Sequence, residues 1–192
     1  MALQASGSIS LNDLHVEAGG TTGTQASMND TDIRGLLGAA ANSQMTFSSF
    51  YGASSSILST TMTIGSYTDA GGYSGTVSGY NDVSKSALNV VSWGSMAATG
   101  VNGIQSGAIV AQLSHSTLAQ NIALVIVDNT TIANSGWTSV TINSTTLNRT
   151  AATFSQTTTT VSGYTKRSIW TWSAQGTTSP FGTSGTVSVT IV

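Results

Sequence analysis

From Ala53 onward the chain is written in short runs where apolar residues alternate with Ser and Thr, broken roughly every ten residues by Gly, Asn or Asp. Period-two alternation puts successive side chains on opposite faces of a strand, and the frequent turn residues keep each strand short. Such a chain buries its apolar faces only by stacking or closing sheets. The pattern therefore predicts a mainly β protein, an antiparallel β-sandwich or jelly-roll-like domain over residues 54–192. Strands are expected at 60–67, 73–80, 88–93, 107–114, 122–128, 139–142, 145–150, 168–172 and 186–192. The run NIALVIVD is apolar enough to lie inside a sheet, and the closing TVSVTIV should be half buried. INST predicts a hairpin turn through Asn143 and Ser144. Trp137, Trp170 and Trp172 are expected to anchor the core nearby, and Pro180 to fix a turn that presents Phe181 to it.

Residues 1–53 follow a different pattern, predicting a docking segment of short helices. Ser10 can cap a helix with Asp13 at its third position, ending at Gly19 and Gly20. Asn29 can cap a second, with Asp30 and Asp32 in its first turn and Ile33, Leu36 and Leu37 as its stripe before Gly38. Thr46 can cap a third that carries Phe47, Phe50 and Tyr51 and stops at Gly52. None is long enough to be stable alone, so the stripes must pack on one another, on the β-domain or on a partner. Ile33, Leu36, Leu37, Phe47, Phe50 and Tyr51 are the expected docking residues. Ala53 to Ser56 is the expected joint.

Charged residues make up only 6% of the 192, with net charge −2, so hydroxyls and amides must supply solubility. The five cations, Arg34, Lys85, Arg149, Lys166 and Arg167, are scattered and make no groove for phosphates, which argues against nucleic-acid binding. Cysteine is absent, removing disulfides, thiolate metal sites and thiol chemistry. No run approaches the roughly 20 apolar residues that span a bilayer. The start, MALQASGSIS, lacks the features of an export signal, so a soluble protein is expected. The Asn-x-Ser/Thr triplets at Asn29, Asn129, Asn143 and Asn148 read as chance matches in a Ser/Thr-rich chain.

Chemistry is sparse. His115 with Asp128 is the one pair from which a Ser–His–Asp arrangement can be assembled on paper, but no nucleophile elbow accompanies it. The plainer expectation is that His115 ends a strand and faces solvent. Asp69, Asp82 and Asp128 are the only acids of the β region, and their spacing gives no reason to pair them for glycoside cleavage. The loop around Asp69 lacks the carboxylates a hard cation needs, and no nucleotide-binding glycine pattern occurs. The chain is expected to be non-enzymatic, with no cofactor and no metal. Trp and the tyrosines Tyr51, Tyr67, Tyr73, Tyr80 and Tyr164 could form a glycan platform, though in a β-protein they more often fill the core.

Two stretches carry a resemblance. SGSISLNDLHVEAGGTTGTQASMNDTDIRGLLG with MTFSSFYGAS resembles the N-terminal module of tailed-bacteriophage virion structural proteins of aquatic phages. SGWTSVTINSTTLNRTAATF, continuing through IWTWSAQGTTSPFGTSGTVSVTIV, is similar to the C-terminal β-domain of the same proteins. The resemblance implies a virion component assembled in the host cytoplasm, a tail fibre, appendage or adaptor, with capsid decoration as alternative. It implies other virion proteins as partners, whether tail, baseplate or major capsid protein. Homo-oligomerisation is also expected, with the trimer drawn from analogy. A lectin-like module that binds host surface glycans is the reading from another class.

Overall fold

A computed structural model describes residues 3–4, 6–37, 39, 42–51, 57–68, 75–88, 91–161 and 163–192. The chain divides into two compact units, Met1–Ser56 and Ile57–Ile191. The expected joint at 53–56, the stops at Gly38 and Gly52, Tyr73 and the Asp69 loop lie outside the described residues.

The first unit has its own small core. Helix α1 (Leu11–Glu17) opens with the expected capping box: Asp13 donates its backbone N–H to the Ser10 hydroxyl, and the Asp13 carboxylate accepts from the Ser10 backbone. Helix α2 (Thr31–Gly35) starts one residue later than expected, on Asp30. The Asp30 carboxylate accepts the Ser27 N–H, while Asn29 is drawn away to the Arg34 guanidinium. The third pattern forms a single 3-10 turn, Phe47–Phe50. Leu14, Ile33 and Phe50 are fully buried together, with Leu3, Ile9, Leu11, Leu36, Leu37 and Met45 packed around them. Arg34, itself buried, ties Asn29 to the Ser43 carbonyl and hydroxyl at 3.0 and 2.7 Å. The lone cation of this unit is thus a strut.

The second unit is two antiparallel sheets. Strands β1 (Leu58–Thr63), β2 (Gly65–Thr68), β3 (Thr76–Asn81), β4 (Ser95–Met96), β5 (Ile109–Ser116), β6 (Asn121–Asp128), β7 (Ser139–Ile142), β8 (Thr145–Asn148), β9 (Thr153–Val161), β10 (Tyr164–Trp172) and β11 (Thr186–Ile191) follow in chain order. One sheet runs β4-β1-β11-β7-β8, the other β2-β3-β5-β6-β10-β9. Their apolar faces share one core. Leu58, Met62, Val140, Ile142, Val189 and Ile191 of the first sheet meet Leu113, Ile122, Leu124, Ile126 and Trp170 of the second. β6 has neighbours on both edges, as its nearly continuous apolar run requires. Its alternate residues Val125 and Val127 face the other way and are covered, with Ala111, by Leu88 and other apolar side chains. The short helix α3 (Val83–Ser86) packs against β5, β6 and β9.

The three tryptophans form the expected anchor. Trp137 stands edge-on to Trp170 and Trp172, with centroids 5.2 and 6.4 Å apart. Trp170 donates its N–H to Asn134 and Trp172 donates to the Asn148 carbonyl. Arg149 donates to the carbonyls of Trp137 and Asn134 and so clamps the same loop. The hairpin turns through Asn143, which adopts φ 50°, and Phe181 is buried beside Pro180 as expected.

Three expectations fail for physical reasons. The strand foreseen at 60–67 is two strands in different sheets, broken at Ile64. There Gly65, Gly79 and Gly94 bring three backbones into contact: a Cβ on Gly94 would run into the Gly79 carbonyl and reach within 2.7 Å of the Thr63 carbonyl. The run 88–93 is apolar because Leu88 covers the outer face of the second sheet and Trp93 bridges to Asn81, and the described part of it carries no strand. β9 was not foreseen, because an edge strand with few apolar residues shows little alternation.

Candidate functional site

The paper triad does not assemble. On β5 and β6, His115 lies opposite Ile122 while Ile109 lies opposite Val127, which puts His115 and Asp128 at opposite ends of the strand pair. His115 does not face solvent either. It is fully buried, and since a carbonyl only accepts, Nε2 donates to Gly176 O at 3.0 Å. Asp128 accepts from Gln105 and Thr130. Among the described residues no three of His, Asp or Glu gather to hold a metal, and no helix is long and apolar enough to cross a membrane.

Nor do the described aromatics make an exposed platform. All four tryptophans are buried, Tyr67 stacks on Trp93 at 5.8 Å, and Tyr80 is in the core. The expected docking stripe divides in two. Ile33 and Phe50 are wholly inside the first unit, and Leu36 and Leu37 are half buried against them, so neither buried pair member is open to a partner. Phe47 and Tyr51, at the two ends of the 3-10 turn, are 43% and 42% exposed. Tyr51 is held in place by a hydrogen bond from its hydroxyl to the Gly7 carbonyl. Val16 on α1 is similarly exposed, beside a groove of about 370 Å³ lined by Leu3, Ile9, Asp13 and Glu17.

A further concavity, lined mainly by polar residues, belongs to the sandwich. A cleft of about 450 Å³ lies where β3 ends and the chain returns through α3 to β4. Asp82 caps α3: one carboxylate oxygen accepts the Ser84 N–H and hydroxyl at 3.1 and 2.6 Å, and the other lies 3.2 Å from the Lys85 ammonium. Burial pushes the Asp82 carboxyl up, but the Ser84 hydroxyl, Lys85 and the Ser84 N–H together outweigh it and hold it below the ordinary value. Asn81 supports the floor, its amide spanning the Leu88 and Val91 carbonyls and the Ser86 hydroxyl. Tyr80 is only 6% exposed and lines the cleft. Burial, and secondarily the Asp82 charge, push its phenol up to about 12, so it stays a donor at neutral pH. Ser95, Met96 and Thr99 complete the lining, and Met96 also packs against the core of the sandwich.

Sequence reading singled out Tyr80 and Asp82 only separately. Their convergence with Ser95 and Thr99 depends on the 83–94 return, and the i, i+3 spacing of Asp82 and Lys85 is its only local sign. Comparison with protein-family models, curated proteins and solved structures found no match.

Proposed function

We propose that this chain is a non-enzymatic structural protein of a tailed-phage particle, a fibre or appendage component or its adaptor, attached through the Met1–Ser56 unit. The observation that carries the reading is the pair Phe47 and Tyr51, large aromatic side chains left open on a unit that has already completed its own core. With about two-fifths of each side chain still exposed, covering it contributes about 0.6–1.3 kcal/mol, so that the pair together can anchor a contact. The resemblance of both chain segments to virion proteins, and a sandwich stabilised by packing without disulfides, support it further.

The test measures the chain against the major capsid protein in purified particles. A few to a few dozen copies supports the appendage, hundreds would move it to capsid decoration, and absence from particles would overturn the reading. Docking has its own test: Phe47→Asp with Tyr51→Asp should remove the chain from particles while leaving its melting midpoint within a few degrees, because both residues are at the surface. Phe50 is unsuitable for this purpose, since a carboxylate there would be buried unpaired at a cost of several kcal/mol.

A further inference from the structure

We propose that the six-stranded sheet continues from one copy of this chain into the next, the free edge of β9 pairing with the free edge of β2 in a second copy. Both edges are open. Among the described residues the backbone of β9 bonds to β10 alone and that of β2 to β3 alone. Residues 155–158 on one edge, and Ser66 and Thr68 on the other, are exposed. Each edge therefore presents a row of outward N–H and C=O groups with no strand beside it, a template for strand addition.

Direction and charge decide which strand fits. Every pairing in this sheet is antiparallel and its strands number six, so its two edge strands run in opposite directions. A copy rotated about an axis parallel to the strands brings its β2 antiparallel to β9, and the ladder passes between copies without a change of pattern. Pairing β9 with a second β9 needs a two-fold axis instead. That would bring Lys166 and Arg167 of both copies, one strand behind the edge, to a single seam with no carboxylate on β9 to offset them. β2 and its neighbour β3 carry no charged side chain. Length agrees as well. Tyr164 pairs with Val161 but Lys166 with Thr158, an extra residue in β9, and this bulge leaves Thr153–Thr158 as the regular stretch, enough to take all four residues of β2. Head-to-tail contacts of this kind close into a ring, which holds more tightly than one contact because no copy leaves without breaking two. The contact needs no particle and stands apart from docking through the Met1–Ser56 unit.

The experiment blocks each edge of the full chain separately. Ser155→Lys places a charge on β9 and Ser66→Lys on β2, both at exposed positions, so each melting midpoint should stay within a few degrees of the unchanged chain. The unchanged chain at micromolar concentration should scatter light as a multiple of 19.5 kDa, and each variant alone as 19.5 kDa. An equimolar mixture of the two variants, at hundreds of micromolar because it lacks the ring, should shift towards twice that mass. There the open β9 of the Ser66→Lys chain meets the open β2 of the Ser155→Lys chain, and isotope labelling of one variant should show pairs of one labelled and one unlabelled chain. Thr153→Lys and Thr68→Lys repeat the design where a first variant fails to fold. A monomeric unchanged chain would overturn the proposal. So would a Ser66→Lys chain that still associates by itself, the mark of a β9–β9 pair, or a mixture that stays at the mass of one chain.

Discussion

Tyr80 packs in the core of the sandwich with the Asp82 charge nearby, and this makes it sensitive to alkali. Its phenol sits at about 12 in the folded chain against 10.0 without the burial, so the native state holds that proton more tightly than the unfolded chain does. Below about 10 both forms are protonated and pH has no leverage through this group. Between about 10 and 12 the unfolded chain gains by ionising and the native state does not, so stability falls as pH rises. Tyr80→Phe should flatten that part of a denaturant-midpoint profile; an unchanged slope would place the phenol elsewhere. At the acid end the sign reverses. Asp82 lies below its ordinary 3.8, so its contribution is present above that value and lost as pH falls further. Gly94 is a second sensitive residue: at φ +64° with backbone on three sides, Gly94→Ala should cost at least about 2 kcal/mol in chemical unfolding.

Among the elements, those with a local cause were legible. The Ser10–Asp13 box was readable because its two residues satisfy each other's orphan groups within one turn, and Ser10→Ala should cost about 0.5–2 kcal/mol, seen as earlier loss of the helical circular-dichroism signal. β6, β7 and β11 were readable because their burial imposes either a continuous or an alternating apolar pattern. β9 gave no such sign: Phe154 reaches Trp170 at 4.9 Å, but Ser155, Gln156, Thr157 and Thr158 are exposed. The break at Ile64 was hidden because both β1 and β2 keep period two, and only the Gly65–Gly79–Gly94 contact marks the change of sheet. The cleft was hidden for the same kind of reason, being made by a long return of the chain.

At the scale of the molecule, self-association is the open expectation. β9 is an edge of nine residues without an ionised side chain or a proline, and few devices protect such an edge from pairing. The trimer comes from analogy with appendage symmetry. Light scattering at micromolar concentration should therefore give a mass near three times that of the chain, and a value at 19.5 kDa would exclude oligomers of the isolated protein.

β1 and β11 are antiparallel neighbours, and their register starts with Leu58 opposite Ile191 and runs to Thr63 opposite Thr186. The polypeptide therefore comes into the sandwich and leaves it at the same end of adjacent strands. Mechanical load passed between those two points acts across the ladder and opens it like a zipper, one residue pair after another from Leu58–Ile191. The force at which the sandwich yields is then set by a single pair at a time, well below what the same six pairs would bear if loaded lengthwise in shear.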